Sequence, residues 1–390
     1  MNTDSHTHSS TAAPAHQASS NRAQTSVSDI LARWQVKKHR YTLASSLNGY
    51  VLVLIVLLAA LLITMSVLFI GARSLLFDFP SSPSTEESGG GVANNDGDRP
   101  FADGANGNVL LPWAENVKII PANTIHASYA ALADLSTGEI IASRKADEVI
   151  YPASMTKVMT LIVVVENLPN EAGLQDTVEV SAEVYEEMRR QGSSGIGMEI
   201  GEKMTVESML YALMLKSDGI AACELARYVA GSIEDFVELM NQKAEKMGLI
   251  NTHFENPTGL FHENHKTTSR EIASIMAYAM NMKLCRKILK TQSYTAPFTT
   301  PAGEPKNYYL YHNLIVTQFD DREYKGLPTQ PNTVTIAAGK TGFTDESEYC
   351  LVTYAEATDG HGYVCVTAKS GNYGECITDY LTIYNTYIKP

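Results

Sequence analysis

Cysteine is scarce in this chain of 390 residues, and its spacing is irregular. The five cysteines are Cys223, Cys285, Cys350, Cys365 and Cys376. None forms a C-x-x-C pair, and no spacing of cysteine and histidine is typical of zinc binding, so we predict no metal site. Because the number is odd, buried free thiols are the favoured state. A disulfide between Cys350 and Cys365, on two predicted neighbouring strands, is the alternative.

Basic residues are also few. The chain has 30 Lys and Arg against 43 Asp and Glu, with a net charge of -13. No basic stripe indicates a nucleic-acid partner, and an acidic surface does not favour anionic lipid. The charge therefore argues against nucleic acid and anionic lipid as partners and says little about the fold.

Two stretches before residue 111 lack the apolar residues that a core needs. Residues 1–30 are rich in Ser, Thr, Ala, His and Gln, so we predict a disordered tail over 1–48. Residues 80–110 are rich in Gly, Ser, Asn and Asp, which is typical of a flexible linker. The folded domain is predicted over 111–390, without an internal repeat.

One long apolar run, residues 49–71, contains no charged residue. Its length of roughly 20 residues fits one bilayer crossing, and it is too long and too far from the N-terminus for a signal peptide. The basic residues between Arg33 and Arg40 place the tail in the cytoplasm and the rest outside. We predict an uncleaved anchor in the cell membrane; the alternative is a buried core helix.

Strand patterns lie at both ends of the predicted domain. Residues 127–134 and 140–144 favour two strands, and residues 349–354 and 363–368 favour a hairpin. Helical patterns dominate from about 152 to 290, strand character returns at 333, and a helix closes the chain from about 375 to 388. Such an order predicts an α+β fold in which helices pack on one antiparallel sheet.

The segment Tyr151–Lys157 (YPASMTK) precedes a run that is apolar on every face, which indicates a helix through the core. Ser154 and Lys157 share one face of its first turn. Burial and the helix dipole both lower the pKa of a lysine there, and a neutral amine can activate the serine as a nucleophile. Alternatively, Ser154 caps the helix and Lys157 extends to water.

A second motif, Lys340-Thr341-Gly342, follows a predicted strand. Lysine offers a positive charge, threonine a hydroxyl, and glycine allows a ligand backbone to approach closely. Together they suit a substrate that carries a carboxylate. Alternatively, Lys340 only protects an edge strand from aggregation.

Four segments resemble one known family over about 250 residues. They are Ala133–Glu139 (ADLSTGE), Tyr151–Lys157, Asn256–Leu260 (NPTGL) and Lys340–Thr344 (KTGFT). The chain is identified by them as similar to the low-molecular-mass penicillin-binding proteins, the serine D-alanyl-D-alanine carboxypeptidases of peptidase family S11. The resemblance implies an α/β fold of the β-lactamase and transpeptidase type, an antiparallel sheet with a helical block.

The resemblance also implies a mechanism without metal or cofactor. Ser154 would attack the bond between two D-alanines, Lys157 would be the base, and Ser217 would relay protons to the leaving amine. Lys340, Thr341, Gly342 and Gly219 would bind the substrate. Peptidoglycan stem peptides would be the substrates and β-lactams the inhibitors. The oxyanion hole would use the Ser154 N–H and an N–H of the strand after Gly342.

Two departures from the family pattern stand out. Its middle motif, S-x-N, is replaced by Ser217-Asp218-Gly219, so the amide that would orient Lys157 and bind substrate is missing, and Asp218 either replaces it or does not. Glu375 lies near the place of an arginine that often binds the terminal carboxylate, which argues against strict carboxypeptidase specificity and leaves Lys340 and Thr341 as the main carboxylate partners. The order of motifs makes Ser370-Gly371-Asn372 a turn rather than a displaced S-x-N.

Two further segments are assigned from the pattern. The loop Gly192–Gly197 (GSSGIG) is expected either to rim the cleft or to be an ordinary surface loop. His265 is expected to be structural. The loss of the asparagine leaves a second functional hypothesis open, a catalytically weak or inactive protein that only holds wall peptides. The third functional hypothesis is a β-lactamase.

Overall fold

The computed structural model describes residues 109–312, 323–324, 327–328 and 330–389. The predicted tail (1–48), the predicted anchor (49–71) and nearly all of the predicted linker (80–110) lie outside these residues. Within the described part of the chain, no helix has both the length and the apolar character that a bilayer crossing requires.

The elements of the described residues are numbered here in chain order. The strands are β1 (Trp113–Ile119), β2 (Tyr129–Asp134), β3 (Glu139–Arg144), β4 (Val149–Ile150), β5 (Thr177–Glu179), β6 (Lys203–Thr205), β7 (Thr267–Thr268), β8 (Ser293–Thr299), β9 (Pro305–Tyr311), β10 (Glu323–Tyr324), β11 (Leu327–Pro328), β12 (Thr335–Thr344), β13 (Glu348–Glu356) and β14 (Gly362–Ser370). The helices are α1 (Lys157–Glu166), α2 (Ala182–Arg190), α3 (Val206–Leu215), α4 (Gly219–Ala230), α5 (Ile233–Lys246), α6 (Ser269–Asn281), α7 (Lys283–Leu289) and α8 (Tyr373–Tyr387). Two short 3₁₀ helices span Ala153–Thr156 and Glu171–Gln175.

The main sheet brings the two ends of the domain together in the strand order β1-β3-β2-β14-β13-β12. One row of paired residues crosses it from Lys340 through Val352, Val366 and Ala131 to Ser143. These pairs are antiparallel, as predicted, whereas β1 runs parallel to β3. The predicted hairpin is confirmed as β13–β14, and β12 is an outer strand of the sheet.

Alternate residues of each strand enter two different cores, as the period of a pleated strand requires. Ala131 and Ala133 face the block of helices α1 to α7, whereas Ala130 and Leu132 face α8. This alternation also separates the cysteines, because Cys350 belongs to the first core and Cys365 to the second. All five thiols are buried and free, which confirms the favoured prediction and rejects the disulfide.

Helix α1 lies in the middle of the helical block and contacts α3, α4, α5, α6 and α7. Every residue from Lys157 to Val164 is buried. The prediction of a helix through the core is therefore confirmed. Since the surrounding helices cover all its faces, the polar groups at its N-terminus are held in a fixed place.

The sequence predicts N-caps at Thr205, Ser232 and Thr268, each directly before a helical pattern, and a capping box between Thr268 and Glu271. All three N-caps are confirmed. The hydroxyls of Thr205, Ser232 and Thr268 accept hydrogen bonds from the backbone N–H three residues on. The capping box expected at Thr268 is changed, because the Glu271 carboxylate instead accepts from Asn251 and Thr252. Glu271 therefore joins α6 to the preceding loop.

The prediction of one sheet was wrong, because strands β5, β6, β8 and β9 form a second, four-stranded sheet. The β8–β9 hairpin occupies residues 293–311, to which the sequence patterns assigned no regular structure. Its prolines weaken the strand pattern, since proline is rare in strand interiors. The aromatic pair Phe298 and Tyr308, stacked across the hairpin at 4.3 Å, is the sequence signal that indicates it.

Candidate active site

The serine of the YPASMTK segment lies at a strained turn. Pro152 has φ -73° and caps the 3₁₀ helix, while Ala153 has φ +46°. A positive φ is uncommon for a residue with a side chain and costs roughly 1–3 kcal/mol, and such residues cluster at functional sites. The turn leaves Ser154 half-buried, although its neighbours Ala153 and Met155 are buried.

Lys157 is only 2% exposed, so it does not extend to water. Its Nζ lies 3.2 Å from Ser154 Oγ and 2.6 Å from the carbonyl oxygen of Thr258. Burial lowers the pKa of Lys157 to about 8, against an opposing effect from Cys223 and Asp218. An amine with this pKa is partly neutral near physiological pH and can accept a proton from the serine.

The carbonyl that holds Lys157 belongs to the NPTGL turn. Asn256 Oδ1 accepts hydrogen bonds from the N–H groups of Thr258 and Gly259, and Asn256 Nδ2 donates to Leu260 O. The hydroxyl of Thr160 donates to Pro257 O at 2.7 Å, which ties the turn to α1. The turn is therefore rigid, and its position relative to Lys157 is set by the helix.

On the opposite side of the site, Lys340 is buried and its Nζ donates to Ser217 Oγ at 2.9 Å and to Thr341 O at 2.8 Å. Ser217 also has a positive φ, +57°. Burial, followed by the charge of Lys157, lowers the pKa of Lys340 well below its usual value. An anion beside Lys340 would raise that pKa again, so a carboxylate ligand favours the protonated form of Lys340.

Gly342 lets strand β12 approach the nucleophile closely. A Cβ at position 342 would lie 3.0 Å from Pro152 O, 3.0 Å from Ala153 Cβ and 3.2 Å from Ser154 N. The strand edge and the N–H of Ser154 are therefore adjacent, the arrangement that an oxyanion hole needs. Thr341, next to them on the strand, is half-buried.

The comparisons with known proteins agree with this geometry. The sequence model of the D-alanyl-D-alanine carboxypeptidases, peptidase family S11, matches residues 116–367. The chain belongs to this family.

Two curated relatives and one solved structure illustrate the similarity. The D-alanyl-D-alanine carboxypeptidase DacF of Bacillus subtilis is 33% identical over 236 residues, 59% of this chain and 54% of the relative. A D-alanyl-D-alanine endopeptidase of Pseudomonas aeruginosa is 30% identical over 223 residues, 57% of this chain and 65% of the relative. The matches thus span between half and two thirds of these relatives. The crystal structure of the Streptomyces K15 DD-transpeptidase has a TM-score of 0.61 at 26% identity, covering 68% of this chain and 98% of that one.

In this S11 chain, Asp218 does not take the place of the missing asparagine. Its buried carboxylate caps α4 by accepting from Ala221 N, and it accepts from Ile196 N at 2.7 Å. Burial raises its pKa. Since Gly219 N–H also donates to Ser194 O at 2.9 Å, the glycine-rich loop lies against the Ser217–Gly219 turn.

His265 lies against the serine-lysine segment. Its Nδ1 accepts from Glu255 N–H at 3.3 Å, so Nε2 carries the hydrogen and donates to Thr156 Oγ1 at 2.8 Å. Burial lowers the pKa of His265 to about 3, and the ring is therefore neutral. These contacts agree with the structural role expected for it.

In the first turn of α8, Glu375 lies near the place of the family's arginine, and it is not a cation. The Glu375 carboxylate accepts from Gly371 N–H and from Asn372 Nδ2, and Asn372 caps α8. Ser370 ends β14, and Gly371 and Asn372 connect that strand to α8, so only the last two residues of the predicted turn lie outside regular structure.

Sequence reasoning missed two groups that position the lysines. One is the Thr258 carbonyl; the turn-forming pattern of Asn256-Pro257 was visible, but a backbone acceptor has no signature of its own. The other is His312, which is buried and donates from Nε2 to Gly339 O at 3.1 Å, next to Lys340. His312 directly follows the β8–β9 hairpin. Because the sequence patterns did not predict this hairpin, they could not place His312 beside Lys340.

Proposed function

We propose that the protein is a penicillin-sensitive serine D-Ala-D-Ala carboxypeptidase that removes the terminal D-alanine of peptidoglycan stem peptides. The observation that carries the proposal is the pairing of two buried lysines with two serines: Lys157 with Ser154 and Lys340 with Ser217. One pair contains the nucleophile and its base, and the other contains a proton relay and a site for a carboxylate.

In this mechanism, neutral Lys157 accepts the proton of Ser154 while Oγ attacks the carbonyl carbon of the penultimate D-alanine. Backbone N–H groups of Ser154 and of the strand after Gly342 stabilise the oxyanion. Ser217 then relays the proton taken up by Lys157 to the leaving amine as the C–N bond breaks, which releases D-alanine, restores neutral Lys157 and leaves an ester on Ser154. Water then hydrolyses the ester, with Lys157 as the base.

The terminal carboxylate of the substrate would bind Lys340 and the hydroxyl of Thr341. A free carboxylate next to the scissile bond is the mark of a carboxypeptidase substrate, so we assign carboxypeptidase action, which the name of one relative states, rather than the endopeptidase action that the name of another states. The lowered pKa of Lys157 supports an active enzyme rather than a protein that only holds wall peptides.

Two assays test this proposal. One is labelling with a fluorescent penicillin, and the other is incubation of unlabelled protein with a pentapeptide that ends in D-Ala-D-Ala, with measurement of the D-alanine released. We expect one label per molecule, slow loss of the label and release of D-alanine. Ser154→Ala should abolish both signals and keep the thermal melting curve, because the side chain is small and half-buried. An unlabelled wild type would contradict the proposal, and fast drug turnover would indicate a β-lactamase.

We further propose that residues 49–71 anchor the protein in the cell membrane, with 1–48 in the cytoplasm, 80–110 as a tether and the catalytic domain outside. The supports are the uncharged run and the basic residues before it. In intact cells stripped of their wall, external protease should remove the catalytic domain and spare an N-terminal tag. A tag cleaved together with the domain would contradict this orientation.

A further inference from the structure

Position 219 has no side chain, and another residue occupies the space where one would begin. A Cβ added to Gly219 would lie 2.0 Å from Ser193 Oγ, 2.9 Å from Ser193 Cβ and 3.1 Å from Met188 Sδ. Carbon atoms of real side chains do not approach other atoms this closely. In the present arrangement, Ser193 and a side chain at position 219 therefore exclude each other.

Ser193 is held in this place by its backbone and by its neighbours in the loop. Its N–H donates to Met188 O at 2.9 Å, at the end of α2. Beyond it, Ser194 O accepts from Gly219 N–H, and Ile196 N–H donates to the Asp218 carboxylate. The loop is therefore attached to α2 at Ser193 and to the Ser217–Gly219 turn directly after it.

The hydroxyl of Ser193 has capacity for a ligand. The side chain is half-buried, and its bond to Ser194 O is long, 3.4 Å. Ser217, two residues before Gly219, contributes its own hydroxyl to the site through Lys340. Ser193 thus adds a polar group beside the turn that contributes Ser217.

We propose that Ser193 supplies the substrate contact that the resemblance assigns to the missing asparagine, by a hydrogen bond from its hydroxyl to the peptide backbone of the stem peptide. The inference rests on the proposed function and deepens it. A hydroxyl both donates and accepts, as an amide does, so it can pair with either polar group of a peptide bond. The short side chain reaches less far than asparagine, so Ser193 makes one such bond.

The first test compares Ser193→Ala with Ser194→Ala in the full chain, using the D-Ala-D-Ala pentapeptide. Loss of one neutral hydrogen bond should lower kcat/KM roughly 3- to 10-fold in Ser193→Ala, mainly through KM. The label per molecule and the melting curve should not change. Ser194 is the matched control, because its side chain is exposed and only its backbone carbonyl contacts Gly219. Equal kinetics in the two variants would overturn the proposal.

The second test uses the mutual exclusion of the two side chains. Gly219→Asn alone should lower kcat/KM at least roughly tenfold, because its Cβ overlaps Ser193, whereas Ser193→Gly with Gly219→Asn should recover most of the loss. Full activity of Gly219→Asn, or no recovery in the double variant, would overturn the inference. If the wild type takes no penicillin label, the proposed function fails instead. Melting curves of the wild type, Gly219→Asn and the double variant then still report whether the two side chains exclude each other.

Discussion

Replacing Lys157 by methionine is expected to lower the rate constant for acylation of Ser154 by roughly 10²- to 10⁴-fold, the usual contribution of a positioned general base. Methionine keeps the length and fills the buried space, but it cannot accept the proton of Ser154 Oγ, 3.2 Å from the amine. The measurement is the second-order rate constant for labelling by fluorescent penicillin. A variant labelled at the rate of the wild type would contradict the role of Lys157 as base.

The same substitution separates catalysis from stability. The pKa of Lys157 is about 8 in the folded protein against 10.5 for an ordinary lysine, so the unfolded chain binds its proton more tightly. At pH 7 this burial costs the fold about 3 kcal/mol, and stability rises with pH from about 8 to 10.5. Lys157→Met should therefore melt no lower than the wild type at pH 7 while losing its activity.

The pH profile of the wild type follows from the same pKa. Below pH 8 the neutral fraction of Lys157 falls, so the first-order rate constant for acylation at saturating penicillin, where the ligand carboxylate keeps Lys340 protonated, should fall by about tenfold per pH unit. Above pH 8 the rate should level off while Lys340 holds the carboxylate of the penicillin. A rate constant that stays flat between pH 6 and 8 would exclude a proton acceptor with this pKa.

Gly259→Ala is expected to abolish penicillin labelling. Either the labelling rate constant falls at least roughly 100-fold, or the protein does not fold. Gly259 has φ +81°, and a Cβ there would lie 1.9 Å from Ala153 O and 2.9 Å from Ser154 N. Both neighbours are backbone atoms of the nucleophile turn, so they cannot yield by changing a rotamer. The NPTGL turn or the serine must move, and with the turn moves the carbonyl that holds Lys157.

The control for this variant is Gly360→Ala, in the turn between β13 and β14. Gly360 has φ +84°, nearly the same backbone strain, but nothing lies within 4 Å of an added Cβ. It should lose roughly 1–3 kcal/mol of stability from the strain and keep its labelling rate. Equal labelling of the two variants would show that the contact with the nucleophile turn does not matter.

Much of the fold could be predicted because local patterns and tertiary contacts agree. The three N-caps, the β13–β14 hairpin and the buried helix α1 each follow from a few neighbouring residues. The second sheet could not be predicted in the same way. Its strands come from residues 177–311, a stretch otherwise dominated by helical patterns, and strand pairing across such separations depends on the whole arrangement.

The candidate site also has features that the sequence predicts and features that it does not. The spacing of Ser154 and Lys157 is enough to place both residues on one helix face, and the residue types of Lys340-Thr341-Gly342 indicate a carboxylate. The sequence could also show that asparagine is missing at position 219. It could not show that Ser193 occupies that space, because the two residues are 26 positions apart and meet only through the packing of α2 against α4.

The amino-acid sequence by itself determined the chemistry available to this protein: a hydroxyl and an amine one helical turn apart, and a second cation on a strand. Tertiary structure decided the basicity of the amine and the hydrogen-bond partners of both lysines, since only burial by the surrounding helices lowers the pKa of Lys157 to about 8. The distances from Lys157 to Thr258 and from Lys340 to Ser217 also exist only in the folded chain. The physical reason is that desolvation and hydrogen-bond geometry depend on groups more than 100 residues away, whose proximity no local pattern encodes.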